Sequence, residues 1–208
     1  MTASVPVFQL EGIGYRYRGS RIALADVDLR VDAGEQLVIL GANGCGKSTL
    51  LKILDGLYRP TEGRITAFDE DITGVADDPA RSRRLHRRVG LIFQDPDVQL
   101  FSATVYDDVA FGPLQMDWSD AEVRERVDRA LAVMDARHLA DRAPYELSGG
   151  EKKRVAIASV LSMDPDVVLL DEPTANLDPR SRAMLLEIIG RLRELGKTIV
   201  LTTHELDI

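Results

Sequence analysis

Gly41-Ala42-Asn43-Gly44-Cys45-Gly46-Lys47-Ser48-Thr49 joins a glycine-rich turn to a lysine and two hydroxyls. A loop of this pattern turns backbone N–H groups toward phosphate oxygens, while its lysine reaches the outer phosphates and its first hydroxyl a divalent cation. The segment follows the apolar run Leu37-Val38-Ile39-Leu40, which reads as a buried strand. It opens Leu50-Leu51-Lys52-Ile53-Leu54, which reads as a helix. Strand, loop and helix in that order aim unpaired N–H donors and the positive end of the helix dipole at an anion. The chemistry implied is binding of a nucleotide with Mg²⁺, Lys47 on the β- and γ-phosphates and Ser48 on the metal.

Asp171 and Glu172 end the apolar run Val167-Val168-Leu169-Leu170. Alone, paired acids ahead of Pro173 would read as loop caps. Downstream of a phosphate loop, the first suits Mg²⁺ and the second is placed to take a proton from an attacking water. A third segment, Leu147-Ser148-Gly149-Gly150-Glu151, contains the S-x-x-E pattern of a capping box. Ser148 is therefore expected to cap a helix running through Lys152, Val155 and Ala158. Two glycines in its first turn leave the N–H groups open to an outside anion. The sequence thus offers two anion-binding helix N-termini.

Phosphate loop, Ser148 segment and carboxylate pair, in that order, resemble the ATP-binding cassette (ABC) ATPases. The resemblance implies that Ser148, Gly149, Gly150 and Glu151 complete the ATP site of an opposing subunit, so that two chains sandwich two nucleotides. Gln94, after the strand-like Val89-Gly90-Leu91-Ile92-Phe93, resembles the glutamine that senses Mg²⁺ and joins the helical subdomain to the core. Ala175-Asn176-Leu177-Asp178 resembles the loop that crosses the dimer interface, with Asp178 the matching acid. His204, after Thr198-Ile199-Val200-Leu201-Thr202-Thr203, resembles the switch histidine that contacts the γ-phosphate. Tyr17 stands where the family places an aromatic that stacks on adenine, with Tyr15 as the alternative.

A finer resemblance lies in Phe93-Gln94-Asp95-Pro96-Asp97, Gln99-Leu100-Phe101 and the run from Thr104 to Pro113. These are similar to the cobalt and nickel type of energy-coupling-factor (ECF) ATPases. In that family the stretch lines a groove for coupling helices, and exposed Leu100, Phe101 and Val105 would suit such a contact. The resemblance implies an ATPase on the cytoplasmic face of the membrane that powers import of a small nutrient, cobalt or nickel ion. Its partners would be a second ABC chain, identical or paralogous, a transmembrane coupling subunit and a separate substrate-binding membrane subunit. A conventional ABC importer or exporter is the alternative. A non-transport ABC ATPase acting on DNA or ribosomes would carry a coiled-coil insertion, tandem cassettes or a basic surface, and the sequence has none of these.

The elements that must position these residues follow from patterning. Strand-like segments precede Gly34, and Arg59-Pro60-Thr61-Glu62-Gly63 breaks the chain after the nucleotide helix. Ser119 and Glu122 form another capping box, with Val123, Val127, Leu131 and Met134 on one helix face. Asp178 and Pro179 start a helix with Leu185, Ile188, Ile189 and Leu192 on its apolar side, and Gly196 ends it. The expected class is α/β: a P-loop NTPase (RecA-like) ABC nucleotide-binding domain with an N-terminal antiparallel β region and an inserted helical subdomain. One domain spans 1–208, its core 1–93 and 163–208 and its helical subdomain about 94–162. Domains of this type continue past the switch histidine, so the end at Ile208 points to a truncated domain that binds ATP yet hydrolyses it poorly.

With 208 residues, 45% of them hydrophobic, the chain can bury one sizeable core. No apolar run approaches the ~20 residues of a membrane span. Met1-Thr2-Ala3-Ser4-Val5-Pro6 lacks the basic and apolar regions of a signal peptide. A formal charge of −8 argues against nucleic acid as the main partner. Arg81, Arg83, Arg84, Arg87 and Arg88, with His86 among them, read as a solvated helix surface. The single cysteine, Cys45, excludes an internal disulfide, and its alkylation is expected to block ATP binding.

Overall fold

The computed structural model describes residues 6–19, 21–175 and 177–204. Asn176, in the expected interface loop, lies outside the described residues. Two compact units are present. The first is formed by the chain up to Leu91, by Asp166–Glu172 and by the segment from Gly196 on; the second comprises Ile92–Pro165 and Pro173–Leu195.

The first unit holds two sheets. In one, β1 (Pro6–Arg16), β2 (Ile22–Asp32), β4 (Glu62–Ala67) and β5 (Glu70–Asp71) are antiparallel in the order β2-β1-β4-β5. Phe8, Leu10 and Ile13 of β1 and Ile65 of β4 are fully buried. The other sheet runs β3-β8-β7-β6, formed by β3 (Gln36–Leu40), β8 (Thr198–Thr203), β7 (Val167–Asp171) and β6 (Val89–Ile92). β8 pairs in parallel with both β3 and β7. β7 and β8 are buried at every residue, as expected of parallel strands covered on both faces. β3 departs from the buried strand expected of its apolar run: Val38 and Leu40 are 51% and 52% exposed. The physical reason is its place at the edge of the described sheet, paired with β8 alone.

The same unit carries α1 (Lys47–Leu54) and α2 (Pro79–Arg88). Asp78 caps α2 by accepting from the Ala80 and Arg81 amides. Arg88, exposed like Arg83, Arg84 and Arg87, lies over the Phe68 ring and pairs with Asp166 at 2.7 Å. Arg81 donates to the Asp71 carbonyl.

The second unit is built from α3 (Val105–Leu114), α4 (Asp120–Val133), α5 (Gly149–Leu161) and α6 (Pro179–Glu194). Both expected capping boxes are formed, Ser119 with Glu122 on α4 and Ser148 with Glu151 on α5. Val123, Val127 and Leu131 of α4 and Met134 after it are buried, as are Leu185, Ile188, Ile189 and Leu192 of α6. α6 is capped by Asp178, starts at Pro179, and is followed by Gly196 at φ 74°.

Candidate nucleotide-binding site

The loop between β3 and α1 leaves the first-turn amides of α1 without a side-chain cap. Gly46, the residue that caps α1, has φ 108° and no side chain to satisfy the first-turn amides; no acidic residue stands in that turn. These N–H groups would otherwise be orphans of the helix start. Gly46 is required here: a Cβ would sit 2.4 Å from the Ala23 carbonyl oxygen. Ala42, Asn43, Gly44 and Cys45 are exposed, whereas Lys47 and Thr49 are buried. The Gly41 amide donates to the Thr203 carbonyl at 3.1 Å, tying the loop to the end of β8.

Lys47 Nζ donates to the Gly41 and Ala42 carbonyls at 2.7 and 3.2 Å and pairs with Glu172 Oε1 at 3.0 Å. Glu172 follows the last residue of β7 and turns at φ 43°, a backbone region costly for a residue with a Cβ. Three contacts hold it there. Its amide donates to Thr202 Oγ1 at 3.0 Å, His204 Nδ1 lies 2.9 Å from Oε2, and Lys47 takes Oε1. Asp171 Oδ1 accepts from Thr202 Oγ1 at 2.7 Å. The parallel register places Asp171 opposite Thr202, so this contact follows from strand pairing. The structure therefore brings Lys47, Asp171, Glu172 and His204 together at the ends of β7 and β8. His204 holds a carboxylate oxygen of Glu172 by its ring.

Tyr17 is beside the same loop, its hydroxyl 2.8 Å from Thr49 Oγ1. Its ring meets Tyr15 and Tyr58 edge-on, while Tyr15 and Tyr58 stack on each other. Tyr17 is the more open of the two candidate adenine platforms, because Tyr15 spends one face on Tyr58.

In the second unit Ser148 accepts from the Glu151 amide at 3.4 Å, and the Glu151 carboxylate accepts from the Ser148 amide and hydroxyl. These bonds hold the Glu151 carboxyl below its usual range, the hydroxyl contributing most. Ser148 and Gly149 are exposed, so the first turn of α5 is open to solvent. Gly150 allows a close approach: a Cβ there would sit 2.8 Å from Ser181 Oγ on α6. Asp178 accepts from the Arg180 and Ser181 amides and, at 2.5 Å, from the Ser181 hydroxyl. The Ser148 segment and Asp178 thus converge at the starts of α5 and α6. Gln94 is exposed, and its carbonyl accepts from Lys153 Nζ at 2.8 Å.

Two residues of these arrangements escape sequence reading. Thr202 is one, although its place two residues before His204 on the strand beside β7 is a usable signal. Lys153 is the other: it is buried on α5 and also donates to the Phe93 carbonyl, so it fixes both ends of the Phe93–Gln94 step. The expected exposed groove residues are corrected. Leu100 and Val105 are buried, because they pack inside the helical unit, and only Phe101 of the three is exposed. Phe101 meets Phe111 edge-on at 4.9 Å, and Val98, Phe111 and Leu114 are exposed as well.

Sheet, phosphate loop and carboxylate pair define a P-loop nucleotide-binding protein. Residues 24–175 match the family model described as ABC transporter. The nickel import ATP-binding protein NikO of Rhodobacter capsulatus is 49% identical over 207 residues, covering 98% of this chain and 81% of that protein. The structure of cbiO1 from Clostridium perfringens, part of the ABC transporter complex cbiONQ, is 41% identical with a TM-score of 0.85, covering 98% of this chain and 80% of that one. A dimeric post-hydrolysis structure of the ATP-binding cassette MJ0796 with ADP and Pi is 29% identical with a TM-score of 0.87, covering 96% and 89%. The chain belongs to the ABC transporter ATP-binding family. It is an ATPase coupled to transport, and its fold is that of the cassette. No helix among the described residues is long and apolar enough to cross a membrane.

Proposed function

We propose that the chain powers import of nickel or cobalt ion from the cytoplasmic face of the membrane, as one of two cassettes that close around two Mg·ATP. Support for the cargo comes from the NikO relative and from the ECF-like stretch at 93–113. The observation that carries the coupling role is the exposed ring pair Phe101 and Phe111, 4.9 Å apart, in a chain of net charge −8. Apolar anchors of this kind suit a short helix from a transmembrane partner. A second, substrate-binding membrane subunit would choose the ion, so this chain never touches the cargo.

In this reading the amides of residues 41–49 and Lys47 bind the phosphates, and Tyr17 stacks on adenine. Glu172 takes the proton from the water that attacks the γ-phosphate, while His204 orients the carboxylate and adjoins the γ-phosphate. Ser148, Gly149, Gly150 and Glu151 meet the ATP of the opposing chain, with Asp178 at the interface. Lys47 serves both Glu172 and the phosphates, so phosphate entry frees a Glu172 oxygen as it occupies the lysine. The donors fit Mg²⁺: the Ser48 hydroxyl and the Asp171 carboxylate are hard oxygen donors, and the resemblance to the family adds the Gln94 side chain. Thr202 takes only Oδ1 of Asp171, leaving Oδ2 without a hydrogen-bond partner among the described residues. When bound, Mg²⁺ would neutralise charge on the β- and γ-phosphate oxygens.

The test is mass spectrometry of what co-purifies with the tagged protein from gently solubilised native membranes. A small transmembrane coupling subunit and a separate substrate-binding membrane protein are expected, and Phe101→Asp should lose both while ATP still binds. A conventional permease would move the chain to another transporter type; ribosomal or nucleic-acid partners would overturn the reading.

A further inference from the structure

We infer that Thr202 is a positioning residue for hydrolysis, one hydroxyl that fixes the metal-binding acid and the base relative to each other. The inference rests on the roles proposed above for Asp171 and Glu172. A hydroxyl has one proton and two lone pairs. Thr202 gives its proton to Asp171 Oδ1 at 2.7 Å and accepts the Glu172 amide at 3.0 Å. It thereby grips the side chain of one carboxylate and the backbone of the next.

Both grips act where the strand ladder gives out. The paired register of β7 and β8 ends at Asp171 and Thr202, and Glu172 leaves the strand at φ 43°. Thr202 thus holds the last paired residue of β7 by its side chain and the first residue beyond it by its amide. Thr202 is itself 0% exposed, and its β-branch stiffens χ1 in a strand. The hydroxyl is therefore aimed by packing rather than free to rotate. An outer partner of a metal-binding carboxylate sets that ligand's direction, and its loss is felt at the metal as well as in the rate.

The test compares Thr202→Val, which keeps shape and loses the hydroxyl, with Thr202→Ser, which keeps the hydroxyl and loses the methyl. For Thr202→Val, kcat for ATP and Mn²⁺ affinity in the nucleotide complex, read by electron paramagnetic resonance, are each expected to fall about 10- to 100-fold. Affinity for metal-free ATP should stay within about twofold, because the loop that binds phosphate is untouched, while KM for Mg·ATP should rise in step with the lost metal affinity. Thr202→Ser should restore both readouts to within about threefold of the parent. If Thr202→Val does not fold, Thr202→Ala is read against Thr202→Ser in the same way. A hydroxyl-free variant with parental kcat and Mn²⁺ affinity, or a serine variant as impaired as valine, overturns the inference. Glu172→Gln run alongside separates the two readings. If that variant still turns over ATP, Glu172 is not the base, and the Mn²⁺ affinity of Thr202→Val then decides the part of Thr202 by itself.

Discussion

Lys47 Nζ and Glu172 Oε1 lie 3.0 Å apart, with side chains only 5% and 7% exposed. The ammonium proposed to meet the phosphates is thus paired with the carboxylate proposed as the base. A buried pair of this kind repays its desolvation only when both partners stay in place.

Removing one partner should therefore cost more than removing both. Lys47→Met is expected to weaken ATP binding at least about tenfold and to destabilise the fold by up to about 3–5 kcal/mol, since it removes the ammonium that faces the buried Glu172 carboxyl group. Lys47→Met/Glu172→Gln should recover much of that stability but not the binding. Denaturant unfolding of the single and double variants checks this. A double variant no more stable than Lys47→Met would show that the pair is not coupled.

How far the sequence carries depends on whether the signal is local. The phosphate loop, both capping boxes and the Asp178-Pro179 start of α6 are contiguous patterns whose hydrogen bonds close within a few residues, and each is formed. Thr202 and Lys153 act across 30 and 59 residues of sequence, to Glu172 and Gln94, so only strand register or helix packing exposes them. Exposure was the hardest property to read. Val38 and Leu40 are apolar yet open because β3 is an edge, and Leu100 is buried beside the exposed Phe101. Hydrophobic type marks what can be buried, and tertiary placement decides which residues are.

Asp55, at the end of the nucleotide helix, offers a pH test. Burial pushes its carboxyl well above the usual carboxylate range. Its Oδ1 has no hydrogen-bond partner among the described residues, and His86 Nε2 lies 3.6 Å from Oδ2. The folded chain then holds this proton more tightly than the unfolded chain. Its contribution is full at pH values below the unfolded pKa and is lost as pH rises through the higher folded value. Asp55→Asn should raise the melting temperature above about pH 5, the gap closing near pH 4. A gap that does not change with pH would contradict this.

Cys45 is exposed within the phosphate loop, between Gly44 and Gly46. Its alkylation should abolish ATP binding, because the adduct occupies the space that the loop amides present to phosphate. Bound ATP should in turn protect the thiol. Complete alkylation, verified by mass spectrometry, with unchanged ATP affinity would contradict this.

The central claim is a composite site in which Glu172 is the base and a second chain closes over the nucleotide. Light scattering of Glu172→Gln with and without Mg·ATP tests it most directly. Hydrolysis should fall at least about 100-fold, and the variant should be a stable dimer with ATP and a monomer without it. A chain that stays monomeric at saturating Mg·ATP, or that still hydrolyses ATP at the parental rate, would contradict the account.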